Sequence, residues 1–310
     1  MNCMHKKYLI GLLVAVCIGG GIVLWKYNGS VTKISTPSLH VVTSFYPLYF
    51  FASEIAGDKA EVKNITPAGA EPHDYEPTAR DSADMEGSRL IILNGGGFES
   101  WANKIKENIN TKQIDIVTAG EGLMTRDVIQ NGESTIDPHV WLAPSMAQQM
   151  VDKIEAGFAR VDPTNALYYA SNADALKLKL RTLDTEYQEG LAHCAQKNIV
   201  TTHSAFGYLA RAYHLNQVAL AGLSPDAEPS SRDVARVAQF VKDHDIKYIF
   251  FESLVSPKLS QTVAMEVGAR TLVLNPLEGL TSEEIAAGKN YLTEMRQNLI
   301  NLKIALVCTS

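Results

Sequence analysis

The sequence has no H-E-x-x-H motif and no G-x-S-x-G turn, so neither a helix-borne zinc-water nor an elbow-mounted serine has local support. Blocks of positive charge are missing as well. The 28 Lys and Arg are spread along the chain against 34 Asp and Glu, a net charge of −6 that leaves no footprint for nucleic acid. Broad disorder is excluded by 46% hydrophobic and 20% charged residues, which are globular values. Cysteine is scarce: after Cys3 and Cys17 only Cys194 and Cys308 remain. In an oxidising compartment that isolated pair is a candidate disulfide, closing the last helix onto the second half. Two unrelated thiols are the alternative.

One long apolar run is present, from Tyr8 to Trp25, preceded by Lys6 and Lys7. A basic start before an apolar core is an export signal. Three fates compete: an uncleaved anchor flanked by Trp25, Lys26 and Tyr27, a lipoprotein acylated at Cys17, and a plain cleaved signal. In each case the folded part lies outside the cytoplasm, and tethering to the membrane is favoured. The following "KYNGSVTKISTPS" is polar and reads as a tether.

From Leu39 onward, short β-branched runs alternate with helical periodicity. "LHVVTSF", "AEVKNIT", "RLIILNG" and "QIDIVTA" read as strands, and after residue 196 "KNIVTTH", "NQVALAG", "IKYIFFE" and "TLVLNP" repeat the rhythm. Alternation of this kind predicts an α/β fold with two (βα) lobes built on parallel sheets. Between them the chain reads as helical except at "VDPTN", and the stretch 164–193 predicts one rigid backbone helix of about 45 Å spanning both lobes. A last helix is expected over roughly 281–306, with Thr281 and Glu284 as a capping box. The expected organisation is 1–38 signal or anchor and tether, 39–143 first lobe, 144–194 interlobe helices, and 195–310 second lobe.

In open parallel sheets, ligands bind beyond the carboxyl ends of the strands. His73 follows "AEVKNIT" in a loop stiffened by prolines, "TPAGAEPHDYEPTARD". His139 lies in "DPHVWL", His203 ends "KNIVTTH", and Glu278 follows "TLVLNP". A lone histidine after a strand is more often a cap or surface residue, as His40, His193, His214 and His244 illustrate. Four such groups at strand ends of two lobes, converging on one cleft, instead suit a borderline divalent cation such as Zn²⁺. Asp74, Asp137 and Glu252 are candidates for orienting the imidazoles through their second ring nitrogens. Trp101 and Phe206 are candidates for walling the site, with core packing the favoured explanation for both.

The segments "PAGAEPHDYEPTARD", "NGGGFESWANKI", "DPHVWLAPSMA", "THSAFGYLARAYHL", "FFESLVSPKLSQTVAMEVGA" and "LNPLEGLT" together resemble the zinc and manganese substrate-binding proteins of bacterial ABC importers, the cluster A-I or cluster 9 group. The likeness covers roughly residues 39–306. It implies two lobes joined by a rigid helix, with the metal between them and ligands falling on His73, His139, His203 and Glu278. It also implies an ABC permease as partner, and a monomer is expected. Zinc-type members carry His at the third position where manganese-type members usually carry Glu, so His203 points to zinc ahead of manganese. Region 119–136 departs from the pattern of many zinc members, because it holds no histidine. Two rival readings stand beside this one. One is a zinc hydrolase with an open His₃ site and Glu278 as base. The other is a surface adhesin stabilised by metal.

Overall fold

The computed structural model describes residues 39–309 apart from 109–111, 131–132 and 226–228. The signal or anchor expected before residue 39, with Cys17, lies outside the described residues. Among the described residues no helix is long and apolar enough to cross a membrane.

The first half opens with β1 (Leu39–Thr43), α1 (Tyr46–Ala56), β2 (Ala60–Asn64), α2 (Ala79–Glu86), β3 (Leu90–Leu93), α3 (Ala102–Asn108) and β4 (Asp115–Thr118). Its four strands pair in parallel in the order β2-β1-β3-β4. Strands covered on both faces need near-continuous apolar runs, and all four residues of Leu90–Leu93 are buried. Pro47 starts α1 where its missing N–H costs nothing, and Thr78 with Asp81 closes a capping box on α2.

An antiparallel hairpin, β5 (Asp127–Gln130) with β6 (Glu133–Ile136), stands apart from both larger sheets. It occupies the stretch read above only as lacking histidine. Asn131-Gly132 between alternating segments is a hairpin signal in the sequence itself.

α4 (Pro144–Val161) and α5 (Ala166–Leu191) then join the halves. α5 buries Tyr169, Ala173, Leu176, Leu180, Leu183, Tyr187 and Leu191, a stripe at three- and four-residue spacing. The helix packs on α1, α4 and the C-terminal helix. Its 26 residues give about 39 Å, shorter than expected because Pro163–Asn165 form a separate 3-10 turn and the helix ends at Leu191. One hydrophobic core runs from Leu39 to Leu306 through both halves, which opposes large hinge motion.

The second half comprises β7 (Asn198–Thr201), α6 (Gly207–Ala212), β8 (Asn216–Ala219), α7 (Ser231–Asp243), β9 (Tyr248–Phe251), α8 (Lys258–Val267), β10 (Arg270–Val273), α9 (Ser282–Ala286) and α10 (Tyr291–Leu306). Its sheet order, β10-β9-β7-β8, is all parallel and repeats the topology of the first sheet. The single last helix expected over 281–306 is two helices. Thr281 and Glu284 do cap the first, but Gly288 at φ +77° ends it, and Asn290 caps the second. Cys194 and Cys308 form a disulfide that ties the end of α5 to the end of α10.

Candidate metal centre

Each of the four donors reaches the cleft by a different local device. His73 rides a loop pinned at its start, where Thr66 Oγ1 donates to Ser44 O (2.6 Å), and at its end, where Tyr75 OH donates to Asp81 (2.6 Å). Gly69 N also crosses to Leu280 O in the other half (3.0 Å). His139 opens the 3-10 turn Val140–Leu142 just past the hairpin. His203 stands two residues beyond β7, one of the two strands at the point where the strand order of its sheet reverses. Glu278 follows Leu277, a fully buried residue held at φ +58°. A left-handed leucine is strained. The Asn275 side chain holds it by accepting from Leu277 N (2.8 Å), and Asn298 braces the Asn275 backbone through both of its amide atoms (2.8 and 2.7 Å).

One ligand atom from each of His73, His139, His203 and Glu278 lies within 4.8 Å of all the others. The finer distances are more telling. The Nε2 atoms of all three histidines lie 3.3 Å from the same oxygen, Glu278 Oε1, and His73 Nε2 lies 3.3 Å from His139 Nε2. A tetrahedron with metal–ligand bonds of about 2.0–2.1 Å has edges of about 3.3 Å. An octahedron with the same bonds has edges of about 2.9 Å. Four of the six donor–donor edges therefore have the spacing of a four-coordinate cation, and the two between His203 and the other imidazoles are no longer than 4.8 Å.

Burial and charge agree with that spacing. The side chains of His139, His203 and Glu278 are 0–1% exposed, and His73 is 10% exposed, which makes it the one donor in touch with solvent. Burial alone disfavours every charge here, yet the histidines and Glu278 offset one another. Burial holds the His73 ring below its ordinary value despite Glu278. For His139, burial is outweighed by Asp137 and Glu278, and the ring is held above its ordinary value. His203 is raised further, because Glu252 and Glu278 overcome its burial. Glu278 is driven well below the carboxylate range: burial pushes it up, but the surrounding imidazoles win.

Two of the three orienting candidates stand behind imidazoles. Asp137 Oδ1 accepts from His139 Nδ1 (2.8 Å) and from His139 N (3.0 Å), which leaves Nε2 free to face the cluster. Asp137 itself is held low: the cost of burial is overcome by His139 and by Arg126, whose Nη1 donates to Oδ2 (2.6 Å). Glu252, at the end of β9, places Oε1 2.7 Å from His203 Nδ1 and accepts from His203 N (3.2 Å) and the Thr202 hydroxyl. Asp74 is exposed and stands outside the cluster. Ser204, next to His203, donates its backbone N–H to Gly222 O (2.7 Å).

Sequence reasoning passed over Glu71. Its Oε1 accepts from His73 N (3.2 Å), while Oε2 is buried without a hydrogen-bond partner. Burial and the nearby Glu278 carboxylate push Glu71 up to about 9. The aromatic walls were also missed. Phe98 meets the His73 ring edge-on at 4.6 Å between centroids, and Trp141 lies 5.1 Å from His139. Trp141 Nε1 then donates to Pro276 O (2.8 Å), joining the His139 turn to the Glu278 turn. Trp101 and Phe206 are core residues.

Residues 41–305 match the family model described as zinc-uptake complex component A, periplasmic. The chain belongs to this family. It is 38% identical over 325 residues to the high-affinity zinc uptake system protein ZnuA of Bacillus subtilis, covering 99% of this chain and 100% of that protein. Among solved structures it is similar to the Zn(II)-bound ZnuA-like domain of Streptococcus pneumoniae AdcA, with 41% identity, a TM-score of 0.76, and coverage of 86% of this chain and 98% of that one. It is similar also to the laminin-binding protein Lmb of Streptococcus agalactiae, with 32% identity, a TM-score of 0.79, and coverage of 87% and 100%. The chain spans 56–62% of the length of the full streptococcal zinc-binding proteins that it matches.

Proposed function

We propose that this chain captures Zn²⁺ outside the cytoplasm and passes it to the permease of an ABC importer. The carrying observation is the set of four donors, four of whose six edges are 3.3 Å, as suits a tetrahedral ion. In this reading His73, His139, His203 and Glu278 are the ligands. Asp137 fixes the tautomer of His139 so that its Nε2 offers its lone pair, and Glu252, 2.7 Å from His203 Nδ1, is placed to do the same for His203. Zinc relatives with the same fold support the choice of ion, and three imidazoles with one carboxylate favour it over manganese.

Four protein ligands close the coordination sphere and leave no position for an activated water, so the chain acts as a receptor rather than a zinc hydrolase. The family description as periplasmic, together with the disulfide, supports a location outside the cytoplasm, with the N-terminus as the membrane tether. The test is zinc-dependent stimulation of the cognate permease's ATPase in vesicles by the purified chain. Stimulation by zinc-loaded protein and none by the His139→Ala variant is expected. Equal stimulation by both would refute the reading.

A second reading has one observation behind it. Lmb is described as bifunctional, with adhesin and metal-transporting activity. Binding of the chain to immobilised laminin, compared with an albumin surface, would test whether that property extends to this protein.

A further inference from the structure

His139 differs from His203 in how it is placed. His203 sits two residues past a strand of a four-stranded sheet, whereas His139 follows a hairpin that belongs to neither large sheet. A free-standing hairpin is a poor anchor for a ligand that must be placed to within about half an ångström. Something outside the hairpin has to hold it.

The Tyr208 hydroxyl does so from the other half of the molecule. It accepts from Thr125 N (3.1 Å) and Arg126 N (3.2 Å) and donates to Asp137 O (3.0 Å), using both its acceptor sites and its proton. Those partners form the two sides of the hairpin base, where Asp137 N also donates to Arg126 O (2.8 Å). Tyr208 is 2% exposed and lies on α6, five residues after His203.

Arg126 completes the connection. Its guanidinium lies against Gly207 so closely that a Cβ there would collide with it, and its Nη1 donates to Asp137 Oδ2 (2.6 Å). The opposite oxygen of Asp137 holds His139 Nδ1. A continuous path of contacts thus runs from α6 through Tyr208 and Arg126 to Asp137 and the His139 ring. From the first half, Asn94 Nδ2 adds one further pin on Pro138 O (3.0 Å).

We propose that Tyr208 and Arg126 are positioning residues that latch the hairpin base onto the second half and set the place and direction of His139 before the cation arrives. This rests on the reading of His139 as a ligand. Neither residue touches the cation; both act through Asp137. The glycine at 207 follows from the latch, since the guanidinium occupies the space a side chain would need.

The test uses the full chain with Zn²⁺ and Co²⁺ as probes, comparing wild type with Tyr208→Phe and Gly207→Ala. Tyr208→Phe removes the shared hydroxyl. Gly207→Ala leaves the hydroxyl but displaces the guanidinium from Asp137. In metal-free protein, hydrogen exchange at the Thr125 and Arg126 amides should quicken at least tenfold in Tyr208→Phe. Zinc affinity should fall at least tenfold in both variants, the range seen when an outer partner of a ligand is lost, mainly through faster release. The visible absorption of the Co²⁺-saturated variants should shift, which a loss of stability alone would not produce. If Tyr208→Phe does not fold, Gly207→Ala decides by the affinity and cobalt readouts. Wild-type zinc affinity and an unchanged cobalt spectrum in the folded variants would overturn the latch alone. A wild-type chain that binds neither ion would overturn both the latch and the receptor reading beneath it.

Discussion

Replacing Cys194 and Cys308 together by serine gives a perturbation whose size follows from the chain path. The disulfide joins residues 114 apart and encloses the whole second sheet with its helices. Closing a loop of that length restricts the unfolded chain by about 5 kcal/mol in the chain-entropy treatment. The native state should change far less. Ala195 N to Val307 O, Gln196 N to Leu306 O and Thr309 N to His193 O (3.3, 3.0 and 2.9 Å) keep the two segments paired without the covalent bond. The loss should therefore lie mostly in the unfolded state, so folding slows while zinc affinity stays within about twofold. Urea unfolding of the zinc-free full chain should show a stability loss of about 3–5 kcal/mol, and the melting point should drop on the order of 10 °C. A loss below about 1 kcal/mol would refute the entropic reasoning. Alkylation of both cysteines in unreduced native protein would refute the bond itself.

Four further outcomes follow from the site. His139 and His203 are held above the ordinary histidine value without metal, so zinc bound at the proposed site would have to displace those protons. Zinc affinity should therefore weaken as pH falls, beginning above about 6.5 and approaching two log units per pH unit; chelator competition from pH 8.5 to 5.5 measures it, and a flat profile would contradict it. The same raised groups bind more protons folded than unfolded, so they stabilise the metal-free protein at lower pH and lose that effect as pH rises. Metal-free melting temperature should decline between pH 6 and 8 while the zinc-loaded value does not. Asp137→Asn keeps the shape but points an amide at the Arg126 guanidinium, and should cost 10–100-fold in zinc affinity, about 1.4–2.7 kcal/mol by calorimetry. Asn298→Ala strips both braces from the Asn275 backbone and should cost about 2–4 kcal/mol in urea unfolding, with weaker zinc binding as the Leu277 turn relaxes.

The eight strands of the large sheets were legible from their short β-branched runs, and their carboxyl ends pointed to His73, His203 and Glu278, whereas His139 follows the separate hairpin. Prolines marked the His73 loop for the same reason of local chemistry. What stayed hidden depends on contacts distant in sequence. Tyr208 meets Asp137 across 71 positions, and Trp141 meets Pro276 across 135; no spacing rule joins them. Glu71 carried no local signal either, since an acid two residues before a histidine is commonplace on a surface. The hairpin and the break at Gly288 are different. Asn131-Gly132 and the glycine were visible, but the first lay in a stretch read only for missing histidines and the second inside a pattern read as one helix. Asp74 shows the converse, an acid adjacent to a ligand candidate whose side chain faces solvent.

X-ray absorption at the zinc edge on the loaded full chain tests the central claim most directly. The geometry predicts four light ligands at about 2.0–2.1 Å, three of them with the multiple scattering of imidazole, and no bound water. A five- or six-coordinate shell, or a shell with fewer than three imidazoles, would contradict the account.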